Sequence, residues 1–486
     1  MRYRGFVGGT YESQAFTAAQ MRLVNFFVER MEDPGSTTQF ALLPTPGVET
    51  IATLESAGGR AHIFVDGREF LVSATSLIEV DTDGTPTFRG LVAIDTNPAT
   101  ISSNGDGGGE LFITSGGNGY VYDLATHAFT QITNLNGKAT MGDQLDGYFL
   151  ALDANTGTFY SSELLDGLTW TTGTMFAQRN AAPDPWIAFK VKGRFIHLKG
   201  ANTSEAWFDA GSSPFPFEPH PSGGTEYGIA APFSLKKCDD SLLWLGSTEE
   251  GRRSILRSSG FAPEVVSTYA VDYALSQYET VSDAYADSYT EGNHAFYVLS
   301  FPTADATWVY DLQMQQWHER GAWDGAEYSM WRPRCHAFAF GEHRWLDATS
   351  GAIYRMSSEL GFDAGGLVIR RLRRAPCLMT ENERVFFSAF EVDLEPGLGL
   401  VTGQGSDPQV MLRMSPDGGK TWGAERWRSA GKIGEYQKRV RWERCGAARR
   451  RVFEIVVSDP TPFRITGAYL TLAQPSGAAQ DERRSA

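Results

Sequence analysis

The octapeptide SPDGGKTW at Ser415–Trp422 is the stretch whose residue types and spacing most readily suggest chemistry. It matches the Asp-box pattern Ser-x-Asp-x-Gly-x-Thr-Trp, which is found in propeller proteins that act on glycosidic bonds. Glycoside hydrolysis generally needs two positioned carboxylates, or a tyrosine nucleophile with its own acidic partner. The first question is therefore whether this chain cuts sugars.

The Asp-box residues by themselves explain a stable hairpin rather than a reaction. The Asp417 carboxylate can accept backbone N–H groups across the turn, and Thr421 can tie the turn through its hydroxyl. A sialidase would also need an arginine cluster, an acid and a Tyr–Glu pair, and it usually carries several Asp-boxes within its propeller. This chain has one copy, outside its repeating region, so we interpret the motif as structural and expect no enzymatic activity.

No other motif predicts a catalytic, metal or cofactor site. The sequence lacks a GxSxG elbow, a GxxxxGK[ST] loop and an HExxH pair. The acidic stretch DTDGT at Asp81–Thr85 has calcium-loop residue types, but an ordinary turn is the simpler interpretation. The histidines show no HxH or HxxxH spacing and the cysteines form no CxxC pair; they are His62, His127, His197, His220, His294, His318, His336, His343, Cys238, Cys335, Cys377 and Cys445. We predict no catalytic residue, metal or cofactor.

A basic run and a set of aromatic residues mark the C-terminal region. The run IRRLRRA contains Arg370, Arg371, Arg373 and Arg374, and it predicts either a contact with DNA phosphates or an acidic partner, or else a solvated strand. Aromatic residues alternate with basic ones further on, which suits single-stranded nucleic acid or, as we favour, strands with one buried face. These aromatic residues are Trp422, Trp427, Tyr436 and Trp442.

Composition restricts the class of protein. The 486 residues carry a formal net charge of −15, which argues against a surface that clamps nucleic acid throughout. From Arg413 to Arg451, twelve Lys and Arg residues face four Asp and Glu residues, so the basic charge is concentrated near the C-terminus. The N-terminus has no apolar signal segment and no run of about 20 apolar residues is present, so the sequence predicts a soluble protein in a reducing compartment.

Between residues 55 and 358 a unit of short strands recurs. Its second strand repeatedly reads apolar-x-apolar before a polar residue or turn, as in GYVYDL at Gly119–Leu124 and TWVYDL at Thr307–Leu312. Anchors placed at Glu79, Tyr122, Tyr160, Phe208, Leu256, Tyr310 and Tyr354 are separated by 43, 38, 48, 48, 54 and 44 residues. This period predicts an all-β fold with a β-propeller of seven blades, although six also fit the intervals.

The remaining segments predict a second β domain. Residues 1–54 form an N-terminal segment, residues 55–358 the propeller, and residues 359–475 a C-terminal region of paired strands. We expect the N- and C-terminal segments to fold together into a small β-sandwich or platform. The last residues, 476–486, have the composition of a disordered tail.

Two parts of the sequence resemble the packaged-DNA stabilisation proteins of short-tailed phages, also called tail hub or nozzle proteins. RLVNFFVE at 22–29 followed by LPTPGVE at 43–49 resembles the N-terminal signature of that family. The block from Ser415 to Leu472 resembles its C-terminal end. The matching positions that we interpret as fold or interface residues are Val24, Asn25, Pro46, Gly47, Gly434, Tyr436, Arg439, Trp442, Gly467 and Tyr469.

The resemblance implies a structural protein of the virion tail that is made in the cytoplasm of the host bacterium. It implies a homo-oligomeric ring of six below the portal and its adaptor ring, with tail needle, fibre or spike proteins as further partners. Genomic double-stranded DNA would pass through the channel without being read for sequence, and no membrane insertion is implied. Such a ring would extend the DNA channel and retain the packaged genome until ejection.

An alternative remains open at this stage, because propellers serve unrelated functions. The chain fits a carbohydrate-active or glycan-binding propeller at the tail tip as well. Exposed tryptophans on the propeller loops, such as Trp308 or Trp323, would support glycan binding.

Overall fold

A computed structural model describes residues 1–15, 19–32, 38–105, 107–179, 184–381 and 383–473. The tail predicted at 476–486 lies outside these residues. Two compact units divide the chain: the first comprises Met1–Gly47, Gln316–Trp323 and Val368–Ala486, and the second Val48–Gln315 and Asp324–Leu367. No helix in the described ranges is long and apolar enough to cross a membrane.

The second unit is a β-propeller of small antiparallel sheets, named blades 1 to 7 in chain order. Blades 1 to 3 consist of Gly59–Val65, Arg68–Ser73, Ser76–Val80 and Pro86–Leu91; Thr100–Ser103, Glu110–Ser115, Asn118–Asp123 and Phe129–Ile132; and Met141–Leu145, Tyr148–Asp153, Thr158–Ser161 and Phe176–Gln178. Blades 4 and 5 consist of Ala188–Lys192, Phe195–Lys199, Ser204–Asp209 and Phe217–Pro219; and Gly228–Ile229, Lys236–Cys238, Ser241–Ser247, Arg253–Ser258 and Glu264–Val265. Blade 6 contains Tyr285–Glu291, His294–Phe301 and Ala306–Asp311, and blade 7 contains Pro333–Ala339, Glu342–Asp347, Ala352–Ser357 and Gly47–Thr53.

The first strands of neighbouring blades contact one another in a closed ring. Gly59–Val65 of blade 1 contacts both Thr100–Ser103 of blade 2 and Pro333–Ala339 of blade 7, and the contacts continue from blade to blade between them. Seven blades are therefore present among the described residues. Six of the seven anchors predicted from the repeat lie in the third strand of their blades, and Leu256 lies in Arg253–Ser258, the fourth of the five strands of blade 5. One anchor in each blade confirms the predicted propeller.

Aspartates at strand ends stabilise several blade hairpins. Asp123, Asp311 and Asp347 each end a strand, and each carboxylate accepts two backbone N–H groups of the turn that follows. An Asx turn of this kind satisfies donors that the ladder leaves unpaired. The turn DTDGT also closes within itself, since the Thr85 N–H donates to Asp83 Oδ1 at 3.0 Å.

The last strand of blade 7 comes from the part of the sequence that precedes blade 1. This strand is Gly47–Thr53, whereas the sequence prediction placed residues up to 54 in the other domain. The prediction also placed 316–323 in the propeller, and these residues belong to the first unit. Both differences arise because strands join sheets built from distant parts of the chain.

The first unit is a sandwich of two sheets. Sheet 1 has the order Gln316–Glu319, Gln20–Val24, Arg371–Arg374, Val452–Val457, Gln409–Ser415 and Arg426–Ser429, with Tyr11–Glu12 beside Gln20–Val24. Sheet 2 has the order Phe26–Arg30, Phe40–Pro44, Ile465–Leu472, Val385–Leu394 and Val440–Glu443, with Ala447–Ala448 beside Val385–Leu394. Phe390 of sheet 2 stacks on Phe453 of sheet 1 with ring centroids 4.5 Å apart, and Tyr3 and Phe6 pack against the pair. Segments from both ends of the chain thus build one core, as predicted.

The other elements are short. The strands are Gly321–Trp323, Tyr328–Met330, Phe362–Asp363 and Leu367–Val368. The helical elements are the α-helix Tyr269–Ser276 and the 3-10 turns Thr133–Leu135, Pro232–Ser234 and Ala364–Gly366.

Candidate functional site

The N-terminal motif forms a corner at which the chain passes from one sheet of the sandwich to the other. Asn25 separates Gln20–Val24 of sheet 1 from Phe26–Arg30 of sheet 2, and its φ of 56° lies in the left-handed region. Its buried carboxamide donates to the Gly321 carbonyl at 2.8 Å and to the Arg370 carbonyl at 2.9 Å, and it accepts the Gly321 N–H at 3.0 Å. Asparagine tolerates this backbone better than most residues, so one side chain both makes the corner and holds two other segments.

The second part of the N-terminal motif is also buried in the polypeptide. Pro46 and Gly47 are buried, as is Val24. The Pro46 carbonyl accepts Arg320 Nη2 at 2.6 Å. Both parts of the N-terminal motif therefore fix the segment Gln316–Trp323 in the sandwich.

The C-terminal motif combines packed and exposed residues. Trp442 is buried, stacks on Phe390 at 5.8 Å, and donates its indole N–H to the Arg426 carbonyl at 2.8 Å. Arg439 forms a two-pronged ion pair with Glu391 at 2.7 and 2.6 Å. The contacts of Phe390 and Glu391 tie neighbouring parts of sheet 2, and the hydrogen bond to Arg426 ties sheet 2 to the last strand of sheet 1.

The remaining motif positions lie near the surface or the N-terminus. Gly434 has a φ of 87°, which suits glycine, and the following Tyr436 is 69% exposed. Gly467 is buried and Tyr469 is partly exposed, and the strand that contains them pairs with the chain start at Arg2. The motif therefore leaves one aromatic side chain, Tyr436, largely available to a partner.

The Asp-box has the geometry of a closed turn. Asp417 Oδ1 accepts the backbone N–H groups of Lys420 and Thr421 at 3.0 and 2.9 Å, and Oδ2 accepts the Thr421 hydroxyl at 2.6 Å. Ser415 Oγ donates to Asp417 and accepts the Gly419 N–H at 2.7 Å. The hydrogen bonds from Thr421 hold the pKa of Asp417 well below its usual range, so the carboxylate stays charged. Its oxygens already accept hydrogen bonds from within the turn.

The arginine run is largely internal to the sandwich. Arg371 and Arg373 are 2% and 0% exposed. Arg373 donates to the carbonyls of Phe6, Gly9, Arg22 and Gly5 at 2.6, 3.2, 3.4 and 2.8 Å, and burial lowers its pKa to about 10. The predicted contact with DNA or an acidic partner has no support from these two side chains, because their guanidinium groups are covered.

The outer members of the run make local contacts too. Arg374 pairs with Glu454 at 2.8 Å, and the same buried carboxylate accepts Arg413 Nε at 2.9 Å. Both guanidinium groups lie over the Trp422 ring, at 5.2 and 5.3 Å from its centroid. Arg370 lies over the Trp323 ring at 4.2 Å. The Asp-box tryptophan thus covers a buried ion cluster.

The aromatic residues of the C-terminal region divide into two groups. Trp442 is buried on a strand, as the favoured interpretation predicted, and Trp422 is half-buried between strands. Trp427 and Tyr436 are 50% and 69% exposed. Trp427 lies on Arg426–Ser429, the last strand of sheet 1, which contacts Val440–Glu443, the last strand of sheet 2. We call this basic and aromatic border, comprising 426–443, the sandwich edge.

Trp308 is not the exposed tryptophan that glycan binding by the propeller would need. That side chain is 7% exposed and donates its indole N–H to the Tyr278 hydroxyl at 3.0 Å. One close pair of histidines was not predicted from sequence spacing. Nε2 of His336 lies 2.9 Å from Nδ1 of His343 across an antiparallel hairpin. No group of three His, Cys, Asp or Glu side chains is placed to hold a metal ion in the described part of the chain.

Comparison with known proteins gives two family matches. The propeller model of bacteriophage P22 Gp10 matches residues 6–361, and the β-sandwich model of the same protein matches residues 370–473. A search of curated protein sequences returns no match.

Three of the solved structures that resemble this chain show distant similarity. The extracellular domain of the putative one-component system BT4673 from B. thetaiotaomicron is 10% identical, with 78% of this chain and 47% of that chain covered and a TM-score of 0.43. The N-terminal domain of Nup159 is 10% identical, with 70% and 99% covered and a TM-score of 0.40. A glycoside hydrolase family 43 arabinoxylan arabinofuranohydrolase from Bacillus subtilis is 12% identical, with 87% and 99% covered and a TM-score of 0.28. At these TM-scores none of the three similarities bears on function.

The family matches, by contrast, extend over nearly the whole chain and name the two folds observed, a β-propeller and a β-sandwich. The chain therefore belongs to the bacteriophage P22 Gp10 family of short-tailed phage tail hub proteins, which stabilise packaged DNA, and it is a structural protein of the virion tail.

Proposed function

We propose that this protein forms a closed six-fold ring beneath the portal and its adaptor ring, where it extends the DNA channel and retains the packaged genome until ejection. The observation that carries the proposal is the match of both units to one phage protein over residues 6–361 and 370–473. A closed ring requires head-to-tail contacts, in which two different surfaces of each subunit meet. Tail needle, fibre or spike proteins are the further partners, and the protein has no enzymatic role.

The sandwich edge is the surface that we propose for contacts with other virion proteins. Trp427, Tyr436 and Ile433 are 50, 69 and 59% exposed there, among arginine and lysine side chains. Exposed aromatic and arginine side chains are the residue types that contribute most to protein interfaces. The internal hydrogen bonds of Arg428 and Arg439 fix those arginines in place before any partner binds.

The net charge supports a channel through which DNA slides. Affinity for DNA rises with the number of phosphates that a protein neutralises, so strong basic contacts would hold the genome back. A subunit with a net charge of −15 keeps such contacts weak. Retention would then come from closure of the channel by the assembled tail.

Deletion of the gene from the phage tests the proposal. Electron microscopy of the resulting particles should show tails that end early and heads that have lost their DNA. Complete tails with filled heads, and a defect in adsorption alone, would contradict it.

Glycan binding by the propeller is a second candidate, favoured by one cavity. The cavity has a volume of about 880 Å³ and is lined by the rings of Phe195, Phe208, His220 and Phe261. The centroids of His220 and Phe261 are 4.6 Å apart, and those of Phe195 and Phe261 are 5.0 Å apart. Aromatic faces can stack against the apolar faces of sugar rings, so a glycan array and a hydrolysis assay on the purified chain test binding and turnover separately.

A further inference from the structure

A cavity of about 270 Å³ lies where the first strands of the blades meet. Every blade contributes to its wall. Representative residues from blades 1 to 7 are Arg60, Thr100, Met141, Lys190, Lys236, Asp287 and Arg334. The cavity lies within the propeller unit and involves none of the family-motif residues.

Positive charge predominates in this axial cavity. Five cationic side chains line it: Arg60, Lys190, Lys236, Lys237 and Arg334. Three carboxylates pair with members of this set: Lys190 with Asp143 at 2.6 Å, Lys236 with Asp287 at 3.2 Å, and Arg60 with Asp95 at 4.0 Å. An excess of two positive charges remains around a small volume.

Two of the cationic side chains are buried with donors unused. Arg60 and Arg334 are only 4% and 8% exposed. Among the described residues, Nη2 of Arg60 has no hydrogen-bond acceptor, although Asp95 lies 4.0 Å from it. Both Nε and Nη2 of Arg334 also lack an acceptor, and its guanidinium group lies over the Tyr285 ring at 4.3 Å from the centroid. Burial lowers the pKa of Arg60, and attraction to Asp95 only partly opposes this shift. Burial also acts to lower the pKa of Arg334, but attraction to Cys335, Tyr285 and Asp287 raises it overall.

This arrangement is costly unless something compensates for it. A buried charged donor without an acceptor loses the hydration that it had in water, and two neighbouring guanidinium groups repel each other. The same chain shows the satisfied alternative at Arg373, whose Nε and both Nη atoms donate to carbonyls. Within the cavity, the unused donors of Arg60 and Arg334 are available to a ligand that accepts hydrogen bonds.

We propose that the axial cavity binds a compact oxyanion of the phosphate class, either inorganic phosphate or a small phosphomonoester. Guanidinium groups match phosphate oxygens well, and lysines reach the remaining oxygens as point charges. A phosphate dianion balances the excess of two charges. Its tetrahedral oxygens can accept donors that approach from different blades, whereas a planar carboxylate presents two oxygens in one plane. The volume of about 270 Å³ excludes a DNA duplex.

Binding of such a ligand would connect strands of different blades around one centre. Arg60 lies on the first strand of blade 1, Lys190 on that of blade 4, and Arg334 on that of blade 7. Because the ligand would bind the folded ring and not the unfolded chain, it would stabilise the propeller by mass action. The proposal is independent of the role of the protein in the tail.

Calorimetric titration of the full chain with sodium phosphate, at constant ionic strength in a non-phosphate buffer, tests the proposal. We expect saturable binding with a Kd below about 1 mM, and a melting temperature that rises with phosphate but not with chloride. A parallel titration with glucose 6-phosphate distinguishes the two kinds of ligand. Tighter binding than phosphate indicates that the site takes a sugar phosphate, and weaker binding indicates that it takes the free ion. Either result supports the site.

Substitutions of cavity residues test whether phosphate binds in the axial cavity. Arg334→Gln removes two unused donors and should weaken phosphate binding at least tenfold. Lys190→Met should also weaken binding, and Asp143→Asn, which removes the carboxylate paired with Lys190, should not. Arg194→Gln is the matched control, because Arg194 is exposed and does not line this cavity. Equal effects of phosphate and chloride, or full phosphate binding in both Arg334→Gln and Lys190→Met, would overturn the proposal.

Discussion

Replacement of Asn25 tests whether the sandwich depends on the corner at which the chain changes sheets. Asn25→Ala removes three hydrogen bonds and leaves the buried N–H and carbonyl of Gly321 without their side-chain partner. Each buried group left unsatisfied costs about 1–3 kcal/mol, so for these two groups we expect a loss of roughly 2–6 kcal/mol. Alanine at a φ of 56° adds about 1 kcal/mol, which Asn25→Gly avoids.

Hydrogen exchange measured by mass spectrometry locates the effect, because the two units need not unfold together. Peptides that cover 20–30 and 316–323 should exchange at least about thirtyfold faster in Asn25→Ala, since each 1.4 kcal/mol corresponds to a factor of ten. Asn25→Gly should exchange more slowly than Asn25→Ala. The reasoning fails if Asn25→Ala exchanges within threefold of the wild type in these peptides.

Asn293 provides the matched control. It also has a left-handed backbone, with a φ of 68°, but it is exposed at a propeller hairpin. Asn293→Ala should cost only about 1 kcal/mol, and its effect should be confined to the hairpin between Tyr285–Glu291 and His294–Phe301.

Three further predictions concern buried or bonded charges. Asp417→Ala should lower the melting temperature of the protein, and the difference from wild type should shrink below about pH 4, because the folded pKa of Asp417 is depressed and its contribution is lost as the carboxylate protonates. Glu454→Gln leaves two arginines without their shared buried carboxylate and should cost about 3 kcal/mol in urea unfolding. Exposed Glu443→Gln should cost less than about 1 kcal/mol in the same assay. Burial lowers the pKa of Lys199 to about 7, so the unfolded chain binds more protons than the folded chain above that pH. The melting temperature should therefore rise between about pH 7 and 8.5, and Lys199→Met should flatten this rise.

The repeat in the sequence was sufficient to predict the propeller because each blade is built locally. Apolar alternation and strand-end aspartates recur within about fifty residues, and each blade contains one anchor. The closing strand Gly47–Thr53 was not visible in this way, since it pairs with Ala352–Ser357 across some three hundred residues. Long-range strand pairing leaves no local signal in a single sequence.

The arginine run shows why a charge pattern alone does not identify a surface. Arg373 is buried because the N-terminal segment, more than 360 residues away in sequence, supplies its carbonyl acceptors. The sequence contains a weak indication of the axial cavity, because Arg60, Lys190 and Arg334 are basic residues on the first strands of different blades. Only the closed ring shows that these positions converge on one volume.

Restoration of DNA retention by the purified protein is the most direct test of the central claim. Particles packaged without the protein would be mixed with wild-type protein or with Asn25→Ala, and the DNA that resists nuclease would be measured. We expect wild-type protein to restore nuclease-resistant, DNA-filled heads and Asn25→Ala to do so poorly. Heads that keep their DNA equally well with and without the protein would contradict its role in stabilising the packaged genome.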